Sequence, residues 1–134
     1  MKNIWLIDDD QAAHVYHTIM IRNAGLDLSR VHSFYGVDEA MERVMDLNQR
    51  CDHDKWPDYI FLDINMPIKT GYDFIDEISA VPLRYPFPEI HFVSSTKNPE
   101  DIHKFEQLDQ VVGFETKFLE VEFFEDLLKK SQSF

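Results

Sequence analysis

A single cysteine, Cys51, leaves the 134-residue chain without an internal disulfide. Its amino terminus lacks the apolar stretch of a secretory signal, and no apolar run reaches the length a bilayer-spanning helix needs. A cytoplasmic chain with no membrane contact is therefore expected. Basic residues are also scarce: 13 lysines and arginines face 25 acids, for a net charge of −12. That balance, with no basic patch, opposes binding to nucleic acid or anionic lipid and points to proteins or cations as partners. The chain is well supplied with apolar bulk. With 44% apolar residues and 11 phenylalanines it can fill a real core, and its length suits one domain over 1–134 with little left for a second.

The organising stretch is Tyr59-Ile60-Phe61-Leu62-Asp63-Ile64-Asn65-Met66-Pro67. Ile60, Phe61 and Leu62 run on without polar alternation, the pattern of a strand covered on both faces, and Asp63 then stands at its end. A second apolar run, 4–7, closes on Asp8-Asp9-Asp10. Two strand ends carrying acid imply one shared acidic pocket, in which crowded carboxylates repel one another unless a cation joins them.

The remaining elements follow from periodicity and punctuation. A helix is expected over 11–24, with Ala12, Val15, Ile19 and the stem of Arg22 on one side and Gly25 closing it. A strand over 30–35 and a helix capped by Asp38 come next, with Ala40, Val44, Leu47, Met41 and Met45 as the apolar stripe. Residues 48–58 lack periodicity and read as a loop. A helix over 72–80 uses Phe74, Ile75 and Ile78; Pro82, Pro86 and Pro88 stiffen the connection after it. A strand over 89–93 ends in Ser94-Ser95-Thr96, and Asn98-Pro99 opens a helix to about 108. A short strand over 111–115, then Thr116-Lys117, leads to a last helix over 120–130 with acids early and lysines late. Five strands alternating with five helices predict an α/β fold with a doubly wound parallel sheet. Ligands of such sheets bind beyond the carboxyl ends of the strands, where Asp8, Asp9, Asp63, Ser94 and Lys117 all fall.

In these residues the chain resembles the receiver domains of two-component response regulators, CheY-like in their minimal form. The resemblance covers the chain from the first strand to the last helix. It rests on Asp8-Asp9, on Leu62-Asp63-Ile64-Asn65-Met66-Pro67 with Gly71 after it, on the hydroxyl ending the fourth strand, and on Lys117. It implies strand order 2-1-3-4-5, and it implies that Asp63 accepts a phosphoryl group from a histidine of a kinase or phosphotransfer protein. Asp9 and Asp63 should then hold Mg²⁺ directly, with the backbone carbonyl of Asn65 as a third ligand and Asp8 acting through water. Ser94 should supply a hydrogen bond and Lys117 a fixed cation; a one-residue slip would make Ser95 the donor instead. The chemistry is consistent with this set. A carboxylate can attack phosphorus, two anions can meet only if a cation neutralises them, and Mg²⁺ takes a few carboxylate oxygens while keeping its waters.

The resemblance also implies a switch and a docking face. Phe114 should move inward when Ser94 turns toward the phosphoryl group, and the fourth helix, fifth strand and fifth helix, around 98–107 and 114–125, should meet a downstream protein. No enzymatic role is expected beyond self-phosphorylation and autodephosphorylation at Asp63. With the chain ending at Phe134 no output domain is expected, so signalling should pass by protein binding or by onward phosphotransfer. Two other functions compete. A haloacid-dehalogenase-type phosphatase needs an acid two residues after its nucleophile, and Asn65 stands there. A pseudo-receiver would fold identically and serve only as a binding module; because nothing in the acidic pocket is missing, it ranks below a working receiver. His14 and His17, one helical turn apart, have no third ligand nearby and read as surface or helix-packing residues, and Cys51-Asp52-His53 reads as plain loop. Phe118 stands where the family has proline after its lysine, joined through a cis peptide. A cis bond before a non-proline residue costs ~3–4 kcal/mol, so cis and trans are both open here and the approach of Lys117 is at issue. The long connections 48–58 and 81–88 have no functional reading.

Overall fold

Every residue of β1 (Ile4–Ile7) and β3 (Tyr59–Asp63) is buried, because the pleat sends alternate side chains to opposite faces and both faces are covered. In the computed structural model, which describes residues 2–50 and 52–131, Trp5, Ile7, Ile60 and Leu62 enter one apolar core while Ile4, Leu6, Tyr59 and Phe61 enter another. Cys51 lies outside the described residues. The other strands are β2 (Val31–Phe34), β4 (Glu89–Ser94) and β5 (Val111–Thr116), and all five pair in parallel in the order β2-β1-β3-β4-β5. This is the order that the resemblance implies. Ile7 pairs with Leu62 and Asp63 with Val93, so the residues just past β1, β3 and β4 share one edge of the sheet.

The larger core is closed by α2 (Val37–Gln49) and α3 (Gly71–Ser79), with Phe105 of α4 (Pro99–Glu106) packed against it. The smaller one is closed by α1 (Gln11–Asn23) and α5 (Val121–Ser131) through Ile21, Phe124 and Leu127. Local chemistry sets the helix ends. The Asp10 side chain accepts the Ala12 N–H, Thr70 and Asp73 form a reciprocal capping box, and Asn98 accepts from Asp101 with Pro99 in the first turn. Gly25 lies one residue past the α1 cap at φ +107°, a conformation open to glycine and strained for other residues.

Several expected details differ. The inward side of α1 is Ala13, His14, His17 and Ile21, while Val15 and Ile19 are 53% and 39% exposed. Gly36, not Asp38, caps α2. Asp38 sits in its first turn and pairs with Lys69 at 2.6 Å, and Met45 faces outward. The α2 helix runs on through Asn48 and Gln49, and α4 stops at Glu106. The two long connections fold onto each other at the amino end of the sheet. Trp56 Nε1 donates to the Pro86 carbonyl at 2.8 Å, the Tyr85 hydroxyl to the Arg50 carbonyl at 2.6 Å, and the Arg84 N–H to Asn48 Oδ1 at 2.7 Å. They thus brace the end of the sheet away from the acids. No helix among the described residues is long and apolar enough to cross a membrane.

Candidate functional site

Three carboxylates converge at the carboxyl edge of the sheet: Asp8 and Asp9 follow β1, Asp63 ends β3, and each offers an oxygen within 4.8 Å of the others. Asp8 and Asp63 are buried and Asp9 is exposed, so the pocket opens to solvent on the Asp9 side. Backbone bonds fix the buried pair. The Asp8 N–H donates to the Phe34 carbonyl at 3.0 Å, Asp8 Oδ1 accepts the Asp10 N–H at 2.9 Å, and Asp63 Oδ1 accepts the Asn65 N–H at 3.0 Å. Gly71 stands against the turn after Asp63, where a Cβ would meet the Ile64 Cα at 2.9 Å and the Asp63 carbonyl at 3.0 Å. Only glycine lets α3 start that close to the site. In the same turn Ile68 adopts φ 69° with its side chain 99% exposed, a left-handed conformation uncommon for a β-branched residue.

Lys117, just past β5, turns its buried ammonium onto both inner acids, 2.8 Å from Asp8 Oδ2 and 3.4 Å from Asp63 Oδ2. Its backbone N–H donates to the Ser94 carbonyl at 2.8 Å. The Lys117–Phe118 peptide is cis although Phe118 is not a proline, which answers the question left open by the sequence. Ser94 ends β4, is fully buried, and accepts from Asn65 Nδ2 at 3.0 Å and the Thr96 N–H at 3.3 Å; Ser95 is exposed. The Asn65 side chain is thus engaged by the serine hydroxyl. Phe114 stands inward, 7% exposed, edge-on to Phe92 and Phe105 with the Lys97 ammonium 5.6 Å over its ring.

The electrostatics follow from burial and charge. Burial pushes the Asp63 carboxyl up and the Asp8 charge adds to this, against the Asn65 N–H and the charge of Lys117. For Lys117 burial acts downward, but the hydrogen bond and charge of Asp8 and the charge of Asp63 outweigh it, and the net shift is upward. The lysine stays charged. The donor set is all oxygen, drawn from two strand ends, with one open side, and it suits a small hard cation such as Mg²⁺.

Residue chemistry alone did not place His14 and His17 here. Both are buried on α1 behind the acids, where His14 Nε2 lies 2.7 Å from the Asp8 carbonyl and His17 Nε2 accepts the Leu119 N–H at 3.0 Å. Burial, then the nearby Lys117 charge, lowers the His17 pKa from 6.5 to about 4. Below pH 6.5 the unfolded chain takes up a proton that the folded ring refuses until about pH 4, so this ring's contribution to stability is lost as pH falls through that window. The full effect is roughly 3 kcal/mol. Urea unfolding at pH 7 and pH 4.5 should therefore show His17→Gln losing roughly 2 kcal/mol less than the parent, and equal losses would refute the neutral buried ring.

The family model described as response regulator receiver domain matches residues 4–126. No curated protein matches the chain. Among solved structures, a two-component response regulator from Cytophaga hutchinsonii is 26% identical with a TM-score of 0.79, over 97% of this chain and 96% of that one. A two-component response regulator from Legionella pneumophila is 20% identical with a TM-score of 0.81, covering 100% of both chains. The chemotaxis protein CheY4 of Vibrio cholerae is 20% identical with a TM-score of 0.72, over 97% of this chain and 98% of that one.

Proposed function

The chain belongs to the response regulator receiver family of two-component signalling, and from that membership we propose that Asp63 accepts a phosphoryl group from a histidine of a kinase or phosphotransfer protein. The observation that carries this reading is the meeting of three carboxylates and one buried lysine at a single sheet edge. Asp63 Oδ1 is held by the Asn65 N–H, which leaves Oδ2, facing Lys117, as the attacking oxygen. As its bond to phosphorus forms, the bond from phosphorus to the donor imidazole nitrogen breaks, and that nitrogen keeps the electron pair. Lys117 follows the charge that spreads onto the equatorial oxygens. Mg²⁺, held by Asp9, Asp63 and the Asn65 carbonyl with Asp8 acting through water, would supply the positive charge that lets two anions meet. The Ser94 hydroxyl, now bonded to Asn65, has to turn to reach a phosphoryl oxygen.

Incubation with a small acyl phosphate and Mg²⁺ should add one phosphoryl mass to the chain. A chain that stays unlabelled while binding a partner tightly would be a phosphorylation-independent binding module instead. The downstream face is α4, β5 and α5, and Phe114 packs at its centre. With beryllium fluoride as a phosphate mimic, amide shifts should extend over 98–107 and 114–125, by either a protein-binding or an onward-transfer route. Shifts confined to the loops around Asp63 would reject the switch and leave phosphorylation standing.

A further inference from the structure

Lys117 can serve this chemistry only if the segment that carries it is fixed, and the segment is pinned at two points. On one side its own N–H is bonded to the Ser94 carbonyl at 2.8 Å. On the other, the Leu119 N–H is bonded at 3.0 Å to His17 Nε2, a contact that joins α1 to the β5–α5 connection across 102 positions of sequence. We propose that His17 is a positioning residue for Lys117, acting as a neutral imidazole acceptor that clamps residues 117–119 against α1.

Three features support the clamp. His17 and Leu119 are both buried, so water does not compete for the Leu119 N–H. Neighbouring contacts act along the same seam: the Phe118 ring lies 5.6 Å from His17 and 5.1 Å from Tyr16, and the Tyr16 hydroxyl donates to Glu120 at 2.7 Å. An acceptor at Nε2 requires the ring to be neutral with its proton on Nδ1, and burial together with the Lys117 charge holds it in that form. A charged ring would both lose the bond and repel the ammonium it helps to place. His17 Nε2 is bonded to the Leu119 N–H rather than to a carboxylate. In this scheme it acts through the segment that carries Lys117.

The inference rests on the proposed phosphoryl transfer for its rate readout and on geometry alone for its spectroscopic one. The full-length chain is compared with His17→Leu, which removes the acceptor, and with His17→Gln, whose side-chain oxygen can accept the same N–H; His17→Phe is the second variant without an acceptor should the leucine fail to fold. Without Mg²⁺ or phosphate donor, the Leu119 amide and Lys117 Nζ resonances should shift in the leucine variant, with faster exchange at Leu119, and return toward the parent in the glutamine variant. With acetyl phosphate at saturating Mg²⁺, labelling should fall about tenfold in His17→Leu and recover to within about threefold in His17→Gln. The Mg²⁺ dissociation constant, read by calorimetry, should stay within about twofold, since the carboxylates are untouched. Unmoved Leu119 and Lys117 resonances in His17→Leu overturn the clamp, as does equal slowing in the leucine and glutamine variants, which would mark plain packing. A parent that takes no label sinks the reading of Asp63, and the resonance comparison then decides the clamp by itself.

Discussion

Asp63→Asn should take up no phosphoryl label under conditions that label the parent to completion, a loss of at least about a thousandfold. The amide oxygen that replaces the attacking carboxylate is a poor nucleophile toward phosphorus. No neighbour is placed to substitute. Asp8 is tied at Oδ1 to the Asp10 N–H and at Oδ2 to Lys117, and Asp9 lies exposed at the pocket's open side. The change is also nearly isosteric, and the Asn65 N–H can still find an oxygen, so the fold should survive. Burial penalises the charged form of Asp63 and Asp8 adds repulsion, so the neutral variant should unfold at higher urea than the parent when Mg²⁺ is absent. Adding Mg²⁺ should then stabilise the parent and leave the variant nearly unmoved. Intact-mass measurement decides the first result and urea titration the second. Labelling of Asp63→Asn at the parent rate would show that another group carries the phosphoryl.

Much of this site was legible because its residues sit at the ends of buried strands. Ile60 to Leu62 and Ile4 to Ile7 are unbroken apolar runs, and a parallel sheet covered on both faces puts whatever follows them at one edge. Asp8, Asp63, Ser94 and Lys117 are there, the other three each joined to Lys117 at 2.8 to 3.4 Å. The packing of α1 was not legible, for a physical reason. Its buried side carries two histidines, each with its Nε2 against a backbone group outside the helix, the Asp8 carbonyl six positions away and the Leu119 N–H 102 positions away. A residue counts as polar in a periodicity until its partner is known. Periodicity then puts Val15 and Ile19 inward by default, whereas they lie at the surface. The same holds for the two long connections, whose Trp56–Pro86 and Tyr85–Arg50 bonds exist only once the chain has folded. Gly36 as a cap was hidden by Asp38, whose side chain pairs with Lys69 instead.

Lys117→Met should produce three linked effects, and their opposite signs make the combination hard to mimic. The lysine is the positive charge that now compensates Asp8 and Asp63, at 2.8 and 3.4 Å. Removing one partner of a buried ion pair leaves uncompensated charge, and without Mg²⁺ the variant should lose about 3 kcal/mol of stability by urea unfolding. The same deletion removes a cation from the space a divalent ion would enter, so calorimetry should show Mg²⁺ binding tighter, roughly tenfold. Saturating Mg²⁺ should therefore restore most of the lost stability, by mass action on the folded state. Phosphorylation does not follow the same course. A metal can neutralise the ground-state carboxylates, but the charge that grows on the equatorial phosphoryl oxygens still lacks its ammonium, and labelling at saturating Mg²⁺ should fall about a hundredfold. Tighter Mg²⁺ with slower labelling is the signature of a cation that serves the transition state and competes with the metal in the ground state. Weaker Mg²⁺ binding in the variant would show instead that the lysine organises the carboxylates for the metal, and an unchanged labelling rate would remove it from the chemistry.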